Sequence, residues 1–315
     1  MLRPAVAPTT TTSGTDPPSP SLSAARVRGF QRRLLEWAAE HRRDLPWRAT
    51  RDPWRILVSE IMLQQTQVDR VVGYYGRFLD AFPTASDCAR ARSGEVVRIW
   101  SGLGYNRRAL NLHRAARAIA EEHRGIVPDD ERALRALAGV GPYTARAVRS
   151  FAFEADVATV DTNVVRVLAR CVEGTGVTLG RAQSLADRLL PGGRSWEFNQ
   201  AMFDLGATVC TAARPACERC PLRRQCRWRL RGHADHDPWR ASPSVRTQAP
   251  FAGSDRQGRG RLVDALRQGA VARAMLASAC GWPDDPARAE RITASLVAEG
   301  FAEWAQGPLP QLHLR

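Results

Sequence analysis

Two carboxylic acids and four cysteines carry most of the chemistry this sequence offers. Glu60 stands in WRILVSEIMLQQTQV beside Ile56, Leu57, Ile61 and Leu63, so its carboxyl is expected to be buried and its pKa raised. Asp161, in VATVDTNVVRVLAR, precedes the apolar stripe Val164, Val167 and Leu168; an isolated aspartate there reads first as a helix N-cap or an arginine partner. Two acids in unlike surroundings are also what cleavage of an N-glycosidic bond requires. One protonates the leaving base and the other stabilises an oxocarbenium-like sugar. Cys210, Cys217, Cys220 and Cys226 are spaced C-x6-C-x2-C-x5-C. Zinc ribbons present paired C-x2-C knuckles; a single C-x2-C with longer arms suits a bulkier cubane held by four thiolates. Two disulfides or unrelated buried cysteines are the alternatives. Cys88, Cys171 and Cys280 are scattered and read as ordinary core thiols.

A third candidate site is the turn in LAGVGPYTA, residues 137–145. Asp129 or Asp130 caps a helix before it and Pro142 opens one after it. Gly139 and Gly141 allow positive φ between them, leaving N–H groups free to receive a phosphate. A plain helix-helix turn with a glycine C-cap is the competing reading.

The elements that hold these residues are helical by pattern from about 25 to 232, with helices expected at 25–42, 54–67, 68–81, 94–101 and 107–123. No period-2 run of any length appears. Residues 1–24 are rich in Thr, Pro and Ser and read as a disordered tail. Residues 233–252 are punctuated by Pro and Ser and read as a linker. Beyond it, 253–315 form a small unit with helices expected at 257–267, 271–280 and 285–299 and a two-stranded hairpin, a winged-helix pattern. Such a unit reads DNA in some proteins and is purely structural in others.

The formal net charge is +14 over 315 residues, which favours a polyanionic partner such as nucleic acid. Arg219, Arg223 and Arg224 lie inside the cysteine loops, where a cluster would hold them toward phosphates. A solvated basic surface is the simpler alternative. All 46 basic residues are arginine, so no lysine side chain is available for a Schiff base. No apolar run reaches the length of a membrane span, and a thiolate cluster implies a reducing interior. The expectation is a cytoplasmic protein, nucleoid-associated while on DNA, with no membrane contact.

The turn, the VDTN aspartate and the four-cysteine loop together resemble the helix-hairpin-helix DNA glycosylase superfamily with a 4Fe-4S cluster. Within it LPWR, SEIMLQQTQV, GLGY and FNQAMFDLGATVC most resemble the MutY-type adenine DNA glycosylases, over about residues 28–232. The resemblance implies a mostly α fold of two helical subdomains with an iron-sulfur loop at 210–226. It implies a monomer acting on double-stranded DNA that contains an adenine mispaired with 8-oxoguanine or guanine. Glu60 would then be the general acid and base, and Asp161 would stabilise or trap the sugar cation with Asn163 orienting it. Gln65 and Tyr105 would wedge into the stack, Gln64 would contact the opposite base, and Gly139 and Gly141 would hold the phosphate turn. Tyr143 falls where lyase members carry the Schiff-base lysine, so the reaction should stop at base removal.

Three positions depart from the family pattern. Thr162 stands where many adenine glycosylases have Gly, and Asn106 where a second Tyr is common. Residues 253–315 are too short for the Nudix-like domain that senses 8-oxoguanine, which leaves the opposite-base preference open. A mismatch thymine or uracil glycosylase is the nearest competing function, and a non-catalytic DNA-binding protein a more distant one.

Overall fold

Short polar caps start most of the helices. Ser23 accepts from the Arg26 N–H to open α1, Ala24–His41, and Asp52 followed by Pro53 opens α2, Pro53–Leu63. Thr84 and Asp87 close a reciprocal capping box at α4, Ala85–Arg90. The computed structural model describes residues 22–233, 236–243, 250–305 and 310–315; the tail expected at 1–24 falls mostly outside them. No helix of the described residues is long and apolar enough to cross a membrane.

α2 is buried from Trp54 to Met62, apart from Arg55, because it runs through the middle of a first core. Around it lie α3 (Val68–Ala81), α4, α5 (Ser93–Ile99), α6 (Arg107–Glu122), α7 (Glu131–Ala136) and α8 (Pro142–Ala152). The helix expected over 54–67 stops at Leu63, since Gln64 leaves helical geometry and Gln65 takes φ +58°.

A second core joins Phe30 and Leu34 of α1 to α9 (Thr162–Val167), α10 (Leu179–Leu189), α11 (Ser195–Asp204) and Leu222 of the cysteine loop, which α12 (Arg227–Leu230) follows. The chain therefore crosses between cores three times. α1 belongs with residues 158–222, and the segment 45–152 inserted between them makes the other body. α9 and α11 each run on into a π-helical turn, at Leu168–Glu173 and Leu205–Val209.

Part of the segment expected as a linker is fastened down. Arg170 Nε donates to Asp237 at 2.8 Å, and the Val177 N–H donates to Ser242 at 3.2 Å.

Residues 255–315 fold as α13 (Asp255–Gln268), β1 (Val271–Ala272), α14 (Leu276–Cys280), α15 (Pro286–Ala298), β2 (Ala302–Trp304) and β3 (Gln311–Leu314). This is a winged-helix order of elements. The expected hairpin gains a third strand: residues 271–272 run extended instead of opening a helix, and pair with 311–312 in a sheet ordered β1-β3-β2. Leu262, Val263, Leu266, Phe301 and Leu312 continue the first core with no break.

Candidate active site

Glu60 and Asp161 approach each other from different cores, one on α2 and the other at the start of α9. Glu60 is buried. Burial lifts its pKa to about 7, helped by the nearby Asp161 charge and opposed by a hydrogen bond with Tyr143 and by the Arg48 charge. Its Oε2 is buried without a partner, so an incoming donor or acceptor is needed to satisfy it. Tyr143 reaches it from the first turn of α8, which packs on α2. Burial and both carboxyls hold the Tyr143 phenol far above its ordinary range, so it stays protonated and acts as a donor.

Asp161 caps α9 and sits in the site at once. Oδ1 accepts from the Val164 N–H at 2.7 Å and Oδ2 from Asn163 Nδ2 at 2.7 Å. Burial raises its pKa; these two bonds and the Arg166 charge work against that and favour the carboxylate. Asn163 is itself held, its Oδ1 accepting from Arg166 Nη2 at 2.8 Å. Arg166 then donates to the carbonyls of Gly206 and Cys210, each at 2.7 Å. Gly206 permits this approach, because a Cβ there would lie 2.6 Å from the Asn163 Cβ. Sequence reasoning singled out neither Arg166 nor Arg48. Arg48, from LPWR, grips the fully buried Asp204 of FNQAMFDLGATVC at 2.8 and 2.9 Å.

The two expected wedge residues are both held in left-handed backbone, Gln65 at φ +58° and Tyr105 at φ +45°. Each such residue costs about 1–3 kcal/mol and persists only where its surroundings over-determine it. Arg108 supplies much of that restraint. Its buried guanidinium donates to the carbonyls of Ile61, Met62 and Gln64 on one side, and to those of Leu103 and Gly104 on the other. One side chain thus ties the Gln65 turn to the Tyr105 loop. Tyr105 remains 45 % exposed and Gln65 is exposed.

In the turn between α7 and α8, Asp130 caps the first helix through the Ala133 N–H. Gly139 takes φ +81°, but Gly141 is extended, with φ −89° and ψ −179°. The expectation of positive φ at both is corrected: Pro142 needs an extended residue before it. Neither glycine's N–H has an internal acceptor among the described residues, and a Cβ on Gly141 would meet open space. Gln64 Nε2 donates to the Gly139 carbonyl at 3.3 Å, which draws the opposite-base candidate against this turn.

The four loop cysteines border one shared pocket, with Val167, Leu205, Val209, Leu222 and Trp228 as apolar walls. Among the described residues no set of His, Cys, Asp or Glu closes as tightly as a single metal ion demands. Four thiols around an apolar cavity fit a multi-iron cluster. Cys171, expected to be an unrelated core thiol, lines the same cavity, whereas Cys88 and Cys280 are buried in the first core. Arg170 Nη1 lies 3.5 Å from Cys210 Sγ. Of the loop arginines, Arg219 and Arg224 are exposed, while Arg223 folds back to donate to the Glu218 carbonyl at 2.7 Å.

A family model for the HhH-GPD superfamily of base excision DNA repair proteins matches residues 58–177. The adenine DNA glycosylase of Mycolicibacterium smegmatis is 45 % identical over 276 residues, covering 86 % of this chain and 91 % of that protein. Its counterpart in Mycobacterium tuberculosis is 45 % identical over 294 residues, covering 90 % and 93 %. Among solved structures, a thermostable thymine-DNA glycosylase superposes with a TM-score of 0.62 at 31 % identity, over 67 % of this chain and all of that one.

Proposed function

We propose, from the premise that this chain belongs to the adenine DNA glycosylases of the HhH-GPD base excision repair superfamily, that it hydrolyses adenine from duplex DNA where adenine faces 8-oxoguanine or guanine. It does so without a lyase step. The observation that carries this reading is the pair of carboxyls with unlike surroundings, Glu60 half-protonated at neutral pH with one oxygen unpartnered, and Asp161 pinned by two hydrogen bonds.

The extruded adenine takes a proton from Glu60 as the bond between the base and C1′ breaks, and the bonding electron pair leaves with the base. Asp161 faces the cationic sugar that remains, aligned by Asn163. A water adds to C1′ and gives its proton back to the Glu60 carboxylate, which restores the starting state. Tyr143 holds Glu60 in line through its hydroxyl. With no lysine in the chain, no lysine imine forms at the abasic sugar. Gln65 and Tyr105 fill the space the adenine leaves, and Gln64 meets the opposite base. Gly139 and Gly141 offer N–H groups to a phosphate, and Arg219, Arg223 and Arg224 add to the backbone contact.

Cys210, Cys217, Cys220 and Cys226 would hold a 4Fe-4S cluster, whose iron–thiolate bonds cross-link the loop that presents those arginines. The glycosidic hydrolysis itself balances with no electron transferred.

A base-release panel across A, T and U, each opposite G or 8-oxoguanine, tests the reading. The expected result is adenine release with the abasic strand left uncut, no borohydride-trapped adduct, and complete loss in Asp161→Asn. The likeness to a thymine-DNA glycosylase structure makes T the decisive competitor. Release of thymine or uracil alone overturns the assignment.

A further inference from the structure

The Tyr105 loop, residues 100–106, is a bridge between α5 and α6, and the C-terminal unit grips both of its ends. On the α5 side the Gly94 N–H and the Ser93 hydroxyl both donate to the Arg315 carbonyl. Arg267 of α13 donates to the Val97 carbonyl through Nε at 3.1 Å and Nη2 at 3.0 Å. On the α6 side Arg107 pairs with Glu299 at 3.1 Å, and Arg114 donates to the Glu299 carbonyl. The same Arg267 Nη2 reaches Asn106 Oδ1 at 2.8 Å.

That last contact is the informative one. Asn106 directly follows Tyr105 and stands at the N-cap of α6, where an asparagine ordinarily accepts from its own helix N–H groups. Here it makes no capping bond, and its oxygen is turned to Arg267. The Arg267 side chain is only 6 % exposed, so the contact is shielded from water and its geometry is fixed. Tyr105 keeps strained backbone, which requires restraint from outside the residue itself. Arg108 gives that restraint from beneath the loop; Arg267 gives it from the side.

We propose that Arg267 is a positioning residue for base flipping, through which the C-terminal unit holds the Tyr105 loop in its wedge shape by way of Asn106. The proposal rests on the reading of Tyr105 as a wedge. It assigns residues 253–315 a part in the reaction that needs no contact between this unit and DNA.

The test uses the full chain and duplexes carrying 2-aminopurine or adenine opposite 8-oxoguanine. Arg267→Ala, Asn106→Ala and the double variant are compared in single-turnover excision, 2-aminopurine fluorescence on binding, duplex affinity and thermal melting. Each single variant should lose about tenfold in excision rate, the scale expected when a reacting geometry loosens slightly, with a matching loss of fluorescence gain and little change in affinity. The double variant should be no slower than Arg267→Ala alone, because Asn106 acts on the loop through its contact with Arg267. Arg267→Gln stands in if Arg267→Ala does not fold, since it keeps a donor for the Val97 carbonyl. Full flipping and excision in the folded variants, or losses that add and simply follow melting temperature, overturn the proposal. Tyr105→Ala separates the two readings. If it flips normally, the wedge assignment itself fails; if it does not flip while the Arg267 and Asn106 variants do, only the present proposal fails.

Discussion

At the scale of single residues, the burial that raises the Glu60 pKa also weighs on the fold. Its folded pKa of about 7 lies above the ordinary 4.5. Between those values the folded protein holds a proton that the unfolded chain releases, so stability is full below pH 4.5 and falls as pH rises toward 7. Glu60→Gln removes that loss. The variant should be dead in adenine release yet more stable than the parent at pH 8, by up to about 3 kcal/mol, with little difference at pH 4. Paired melting curves at the two pH values check this; an equal effect at both rules it out. The raised pKa was legible in the sequence because apolar neighbours flank Glu60 on both sides. The N-cap and site readings of Asp161 looked like rivals there, whereas in the structure one carboxyl caps α9 and also lies near Glu60. Tyr143 was visible only as a position where lysine is missing. Its hydroxyl meets Glu60 through the packing of α8 on α2, which no local pattern encodes.

At the scale of elements, the ends of helices proved more informative than their middles. Gln64, Gln65, Thr66 and Gln67 follow Leu63 with no Gly or Pro to stop a helix, so the expected helix runs to 67 and hides the turn that exposes Gln65. That turn is closed by Arg108, forty-odd residues away and one of 46 arginines, with nothing in its own neighbourhood to mark it. Arg108→Met should leave several buried carbonyls without a donor and destabilise the protein by about 2–4 kcal/mol. It should also abolish 2-aminopurine extrusion well below the melting temperature, because both wedge turns lose their common anchor. Normal extrusion in a folded Arg108→Met protein would show that the turns hold themselves. Gly206 poses a similar problem of legibility. Its need for a bare Cα arises only because α11 passes against Asn163, and Arg166 then reaches from Asn163 to the Cys210 carbonyl. Asp161, through Asn163, and the loop that carries the four thiols are thus connected by one guanidinium.

At the scale of the whole molecule, the family resemblance was enough to imply two helical subdomains, but not how they interlock. Residues 253–315 looked separable from the sequence because a Pro- and Ser-rich stretch precedes them; their apolar side chains in fact complete the first core. Deleting them should therefore yield an aggregating or loosely packed protein, with near-UV circular dichroism lost and no adenine release. A truncated chain that melts cooperatively and still excises adenine would contradict the shared core. The interlocking also has a consequence in time. Neither core is built from consecutive sequence, since α1 waits for residues 158–222, and α5 waits for α13. At a synthesis rate of roughly 5–20 residues per second, the face of α5 stays uncovered for about 10–30 s on the ribosome. Glu60 spends its early life as an ordinary surface carboxylate, ionised and inert. Its proton arrives only when the chain that encloses it has closed.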